Sequence, residues 1–201
     1  MGYGMVIDLK KCIGCHGCTL SCKAANGTPP GNLRANVLKK QEGTYPTVRI
    51  TSVPVLCNHC ENAPCVEQCP TAAMQKDEDG IVTIDKAECI GCKTCMLACP
   101  YDALSYRENE DGYFGSVLNE YEALVYQGMP VEKVDKCDFC KGNGRLKNGE
   151  KPACVQACMA GARTFDDLDN LQGIIAQGGG YQLLPEEGTN PSVYYLPNRY
   201  Y

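Results

Sequence analysis

The 201-residue chain has no tryptophan, only three phenylalanines and only two histidines. A conventional apolar core for this length draws on more large rings, so something else is expected to fill the interior. No stretch approaches the ~20 apolar residues that a membrane-crossing helix needs, so no direct membrane span is expected. The opening MGYGMVIDLKK carries neither a long apolar segment nor paired arginines, so no export signal of its own is expected. Basic residues are not in excess: 19 Lys and Arg stand against 24 Asp and Glu, for a net charge of −5. That balance argues against a nucleic-acid partner, because phosphate binding needs a basic face. There is also no phosphate loop, nucleotide fingerprint or nucleophile–base pair at a familiar spacing, so no catalytic residue is assigned.

What the chain does have is cysteine. Its sixteen cysteines fall into four groups of four: Cys12, Cys15, Cys18 and Cys22; Cys57, Cys60, Cys65 and Cys69; Cys89, Cys92, Cys95 and Cys99; Cys137, Cys140, Cys154 and Cys158. A cubane 4Fe–4S cluster takes four thiolates, so the count fits four clusters. An oxidised cubane with its thiolates carries about −2, which would bring the loaded chain to about −13. Clusters and their sulfurs would supply the missing packing, and the metal-free chain is expected to fold poorly. Two other uses of cysteine compete. Disulfides suit small secreted chains, and zinc ribbons use Cys-x2-Cys pairs such as Cys57/Cys60 or Cys137/Cys140. Against both, the Cys-x2-Cys-x2-Cys runs of the first and third groups crowd three thiols into seven residues. Three corners of one cluster need that crowding, and pairs do not.

The chain repeats itself. Val6-Ile7-Asp8 before Cys12-Ile13-Gly14-Cys15 recurs 77 residues on as Thr83-Ile84-Asp85 before Cys89-Ile90-Gly91-Cys92. Each copy reads as a short strand, a cysteine loop and the start of a helix, with glycine allowing a tight turn of backbone amides near a cluster. A second repeat follows three of the groups: Cys69-Pro70-Thr71-Ala72-Ala73, Cys99-Pro100-Tyr101-Asp102-Ala103 and Cys158-Met159-Ala160-Gly161-Ala162. Its Pro and Ala positions read as turn-makers. The repeats assemble into two bacterial-ferredoxin-like units, a motif whose fourth cysteine crosses to the other cluster. The second group carries a two-residue insertion, and the fourth carries the loop from Lys141 to Ala153. Residues 26–46 read as connector, Thr47-Val48-Arg49-Ile50 as a strand, and Val117 to Tyr126 as a helix inside a cysteine-free insertion. Lys11, Lys23 and Lys93 adjoin ligand cysteines but read first as surface lysines. His16 and His59 lie inside cysteine loops, within reach of a cluster sulfur but not as ligands, since the cysteine sets are complete.

The four groups, their spacing and order resemble the iron–sulfur subunit of the DMSO reductase superfamily of molybdopterin oxidoreductases. The likeness is carried by Gly4-Met5-Val6-Ile7-Asp8, Cys57-Asn58-His59-Cys60, Cys65-Val66-Glu67-Gln68-Cys69-Pro70, Pro185-Glu186-Glu187-Gly188-Thr189 and Val193-Tyr194-Tyr195. It is closest in pattern to the subunits of polysulfide, arsenate and dimethyl sulfoxide reductases. The resemblance implies an α+β fold of two ferredoxin-like units, each for two 4Fe–4S clusters, with long loop insertions and an extended C-terminal arm. Residues 1–25 with 131–170 would form the first unit and 50–106 the second, with an insertion at 107–130 and the arm at 171–201. It also implies crossed ligand sets: Cys12, Cys15, Cys18 and Cys158; Cys22, Cys137, Cys140 and Cys154; Cys69, Cys89, Cys92 and Cys95; Cys57, Cys60, Cys65 and Cys99. In relatives the clusters line up in that order, from the catalytic subunit toward a membrane subunit or other donor.

The expected function is electron relay between a molybdopterin catalytic subunit and a membrane anchor, quinol-oxidising subunit or other redox partner. The catalytic subunit alone would hold bis-molybdopterin guanine dinucleotide and act on polysulfide, arsenate or a sulfoxide, or dehydroxylate a catechol. The chain would reach the periplasmic face by co-export or stay on the cytoplasmic side. A free-standing polyferredoxin carrier is the alternative, and a zinc-based assembly protein a third.

Overall fold

A computed structural model describes residues 2–198. The chain runs through β1 (Tyr3–Asp8), α1 (Gly17–Asn26), β2 (Ala35–Glu42), β3 (Arg49–Leu56), α2 (Pro64–Glu67), β4 (Met74–Lys76), β5 (Val82–Ile84) and α3 (Thr94–Ala98). It continues through β6 (Leu104–Arg107), α4 (Glu120–Val125), β7 (Lys133–Lys136), α5 (Ala153–Gln156), β8 (Arg163–Asp167), α6 (Leu168–Gly178) and β9 (Val193–Leu196). The fold is α+β, built from short elements rather than one large sheet.

Strand β1 explains how the two ends of the chain meet. Its middle, Met5-Val6-Ile7, is buried on both faces, as an unbroken apolar run requires. It is the centre of a three-stranded sheet, with β8 antiparallel on one side and β9 parallel on the other. Helix α1 packs against α5. The first cysteine group is thereby folded onto the fourth. Between them in sequence, α2 packs on α3 and the β4–β5 hairpin lies beside α2. Strands β6 and β7 pair antiparallel and tie this middle part to the start of the fourth group.

Two of the three phenylalanines meet in the core. Phe139 is fully buried, with its ring edge on Phe165 at 5.1 Å and its face near His59 at 3.9 Å. Tyr3 stacks on Phe165 from the other side. Around them Met5, Ile7, Leu9, Val193 and Tyr195 share a core with Cys18, Cys22, Cys57, Cys137 and Cys154. A second core combines Ala73, Met74, Val82, Leu104 and Val134 with Cys60, Cys65, Cys89 and Cys95. Cysteine therefore occupies core positions that rings and aliphatics fill elsewhere.

Three local expectations need revision. Residues 35–42 are a strand, paired residue for residue with β3, where a connector was expected. The stretch Lys39-Lys40-Gln41-Glu42 is polar and largely solvent-facing, so it carries no apolar alternation to mark it. The expected arm at 171–201 begins inside α6, whose Leu171 and Ile175 are spaced one turn apart on the buried face and whose end is capped by Gly179 in the left-handed conformation. Positions 199–201 of that arm lie outside the described residues. The third revision is small: the helix expected from Val117 starts at Glu120, where Asn119 and Glu122 form a reciprocal capping box.

One ionic network joins these parts. Arg34, just before β2, donates from Nε and Nη2 to the two oxygens of Asp135 in β7 at 2.7 and 2.9 Å, and from Nη1 to Asp138 at 3.2 Å. Lys86 reaches Asp135 from a third direction at 2.7 Å. Asp135 is fully buried, and the two cations hold its carboxyl below the ordinary carboxylate range although burial alone opposes this. Removing one member of such a pair leaves an uncompensated buried charge. Arg34→Met is expected to destabilise the cluster-loaded chain by about 3 kcal/mol. Urea unfolding followed by loss of visible absorbance checks this, and an unchanged midpoint contradicts it.

Candidate metal centres

All sixteen cysteines are free thiols, and most are buried. Buried thiols that sit together repel one another once ionised, so their electrostatic neighbours reveal which ones gather. Cys22 is pushed up to about 12 by burial and then by Cys154 and Cys140. Cys137 is raised by burial, then by Cys22 and Cys154. Those four form one set drawn from the first and fourth groups. Cys12 is raised by burial and, further down, by Cys18 and Cys158. The exposed Cys15 belongs to the same loop.

The middle groups cross in the same way. Cys65 is pushed up to about 12 by burial, with Cys57, Cys99 and Cys60 adding to it. Cys95 is pushed up to about 11 by burial and by Cys69, Cys89 and Cys92. These last four line a small cavity closed by Ile84 and Val134. Each of these gatherings thus draws cysteines from two different groups.

The turns that present the thiols follow the repeats. Gly14 and Gly91 adopt positive φ at equivalent places in the first and third groups, as do His16 and Lys93. His59 and Phe139 do so at equivalent places in the second and fourth groups. After the last cysteine of three groups, Ala72, Asp102 and Gly161 are left-handed. That twist turns the following amides back onto the sulfur. Ala162 N–H donates to Cys158 Sγ at 3.2 Å. Tyr101 and Ala103 do the same for Cys99, and Thr71, Ala73 and Met74 for Cys69. The turn-making read from the Pro and Ala positions is thus also what directs amides at sulfur. Amide N–H groups aimed at cluster sulfurs stabilise negative charge there.

Side chains add to these contacts, and sequence reasoning did not find them. Asn26 Nδ2 lies 3.6 Å from Cys22 Sγ and 3.9 Å from Cys140 Sγ, while its own oxygen accepts from Arg34. Thr94 Oγ1 donates to Cys92 Sγ at 3.4 Å, and with its amide it lowers that thiol. Arg163 donates to both Cys18 and Cys154. One signal in the sequence does point to Arg163. The residue after the Ala of the Cys-x3-Ala repeat is Met74, Leu104 or Arg163, buried in every copy and charged only in the last.

The lysines have partners other than the cysteines. Lys11 pairs with Asp8 at 3.7 Å, Lys23 donates to the carbonyls of Thr28, Pro29 and Asn32, and Lys93 lies 3.7 Å over the Tyr106 ring. His16 stands at the N-cap position of α1 in the left-handed conformation, with no side-chain capping bond. His59 is fully buried, accepts from Val82 N–H at 3.0 Å through Nδ1, and is held neutral by burial and by the Lys136 charge.

The sets also have neighbours. Cys154 interacts with Cys18, and Cys137 interacts with Cys57. His59 lies against Phe139, its ring tilted by 32°, across the second of these junctions. The set with Cys57 therefore abuts the set with Cys137, and the set with Cys69, Cys89, Cys92 and Cys95 comes after it. This reverses the last two places of the order carried over from relatives. The reason is the fold: the Cys57–Cys60 loop leaves β3 beneath Phe139, while the Cys89–Cys92 loop opens to solvent. The two exposed cysteines, Cys15 and Cys92, belong to opposite end sets.

All-thiol sets with amides trained on the sulfurs suit iron–sulfur clusters, whose iron supplies the positive charge that these crowded thiols need. Among the described residues, no three or more His, Cys, Asp or Glu are arranged to hold a single metal ion. Residues 48–114 match the family described as "4Fe-4S dicluster domain". The chain is 39% identical to the arsenate respiratory reductase iron-sulfur subunit ArrB of Shewanella sp. (strain ANA-3), covering 98% of this chain and 96% of that one. It is 41% identical to a putative dimethyl sulfoxide reductase iron-sulfur subunit of Halobacterium salinarum, over 96% and 78% of the two chains. A tetrathionate reductase subunit of Salmonella typhimurium matches at 39% over 96% and 72%. The chain belongs to the family of iron–sulfur subunits of molybdopterin reductases. The dicluster domain and the sixteen cysteines together support iron–sulfur binding by this family member. Among the described residues no helix is long and apolar enough to cross a membrane.

The hydroxyl on Cys92 offers a local test. Thr94→Val is expected to lower the reduction potential of one iron–sulfur signal by a few tens of millivolts, roughly threefold to tenfold in its reduction constant. Thr94→Ser should restore it. EPR-monitored titration reads both, and a potential unmoved in the Val variant contradicts the role of the hydroxyl.

Proposed function

We propose that this family member is a relay of four 4Fe–4S clusters between a molybdopterin catalytic subunit and a second redox partner. The observation that supports the reading is that cysteines of different groups are neighbours: Cys12 with Cys158, Cys22 with Cys140 and Cys154, Cys65 with Cys99, and Cys95 with Cys69. The assigned ligands are Cys12, Cys15, Cys18 and Cys158; Cys22, Cys137, Cys140 and Cys154; Cys57, Cys60, Cys65 and Cys99; and Cys69, Cys89, Cys92 and Cys95. Bound clusters supply reversible one-electron redox chemistry. The chain itself fixes their spacing, excludes water from the middle sets and sets the charge around each. Residues 1–25 with 131–170 form one unit and 50–106 the other, while β6 and β7 keep the two in register.

Exposed apolar residues support permanent docking over a free carrier. Ile13, Leu20 and Met159 surround the end set that contains Cys15, and Met159 is 82% exposed. Their repeat counterparts Ile90 and Leu97 surround the other end set, and Leu97 is 88% exposed. The 107–130 insertion shows Tyr113, Phe114, Val117 and Leu124 to solvent. Apolar groups of this size left bare at both ends and on a side fit a chain covered by partners. The catalytic partner would carry bis-molybdopterin guanine dinucleotide and reduce an arsenate-, polysulfide- or sulfoxide-type substrate, or dehydroxylate a catechol. The near full-length match to an arsenate reductase subunit favours the first group. A membrane anchor or quinol-oxidising subunit would cover the other end, on whichever membrane face the catalytic subunit occupies.

Metal analysis tests this reading. Anaerobically purified chain should hold about 16 iron and about 16 acid-labile sulfide. Zinc in quantity, or iron near half that value, contradicts it. The crossing is tested separately by Cys22→Ser and Cys158→Ser. Cys22→Ser should perturb the cluster that also loses intensity in Cys140→Ser, and Cys158→Ser the one affected by Cys15→Ser. EPR spectra that group each variant with its sequence neighbours instead would contradict the crossing.

A further inference from the structure

Arg163 opens β8 opposite Ile7 of β1, and its side chain points into the core between the first two thiol sets. It is 4% exposed. Nη2 donates to Cys18 Sγ at 3.6 Å, and Nη1 donates to Cys154 Sγ at 3.8 Å and to Met5 Sδ at 3.6 Å. All three acceptors are sulfur. Asp8, Glu42, Asp77, Asp79, Asp135, Asp138 and Glu150 pair with other cations, and among the described residues no carboxylate is one of the groups that act on Arg163. The groups whose charge it feels are Cys154 of α5, Cys18 of α1 and the fully buried Tyr195 of β9.

A buried guanidinium without a carboxylate is costly unless other negative charge compensates it. Here the compensation comes from two cysteine sets at once. Arg163 acts on Cys12 and Cys22 as well as on Cys18 and Cys154, two members of each set. The charges acting on Cys65, in the third set of the row, come from Cys57, Lys136, Cys99 and Cys60, with Arg163 not among them. In the other two copies of the repeat the same position is apolar, Met74 and Leu104, so β-sheet packing does not require a cation there.

We propose that Arg163 is an electrostatic bridge that raises the reduction potentials of the first two clusters together. The proposal rests on the ligand sets assigned above. Reduction adds one negative charge to a cluster, and a nearby buried cation favours the more negative state. Burial keeps this charge from being screened by salt, and arginine keeps it at every working pH. The planar fork is what allows one side chain to reach sulfurs of two sets, which the single ammonium of lysine does not. Arg163 is a positioning and tuning residue, since it touches ligand sulfurs rather than a substrate.

The test compares Arg163→Gln and Arg163→Lys in the purified complex, by iron analysis and EPR-monitored redox titration. Arg163→Gln is expected to lower the reduction constants of two of the four clusters about tenfold, about 59 mV for one electron, and to leave the other two in place. Arg163→Lys is expected to fall between wild type and Gln. Where the Gln variant loses iron, the Lys variant decides: full iron with the same two clusters shifted supports the bridge. Unmoved potentials, a uniform shift of all four, or loss of iron in both variants overturns it. Wild-type iron well below about 16 overturns the cluster assignment itself, which separates the two failures.

Discussion

Thiols packed beside thiols, away from water, are stable as thiolates only when positive charge lies among them. Burial pushes Cys22 and Cys65 up to about 12, and neighbouring cysteines add to the effect. Iron supplies that charge, and the rest of the structure is arranged around this need. Sulfur takes core positions in both cores, in a chain with no tryptophan and three phenylalanines. Left-handed turns recur at equivalent places because each must direct amide N–H groups at a sulfur. The sheet that joins β1 to β8 and β9 brings a late cysteine group back onto an early one.

Crossing the groups has a mechanical consequence. A cluster held by one contiguous loop would staple only that loop, whereas a set drawn from two groups ties distant parts of the chain. Loss of one cluster should then loosen two segments, not one. The crossing also places the sets side by side, with Cys18 near Cys154 and Cys137 near Cys57. Electrons would enter and leave where Cys15 and Cys92 reach the surface, beside apolar side chains that a partner can cover. Between those ends the junctions differ in chemistry: Arg163 at one, the tilted His59–Phe139 ring contact at the next.

The cysteine spacing made much of this legible. The 77-residue repeat foretold β1 and β5 as the strands that enter equivalent loops. What sequence did not show is what depends on long-range pairing. Strand β2 is hidden because Lys39 to Glu42 face water and their partner in β3 gives them their shape. The row order of the last two sets is hidden because it depends on Phe139 meeting His59, residues 80 positions apart. Arg163 was legible only by comparing three copies of a repeat at the position after the alanine, where a charge replaces Met74 and Leu104.

Iron-edge anomalous diffraction from anaerobic crystals of the loaded chain is the most direct measurement of the arrangement. Four separate iron peaks are expected in one row, each beside cysteines from two different groups. The peak by Cys57, Cys60, Cys65 and Cys99 should stand between the one by Cys137 and the one by Cys92. Fewer than four peaks, a peak bordered by a single contiguous group, or the Cys92 peak standing next to the Cys137 peak would contradict the arrangement.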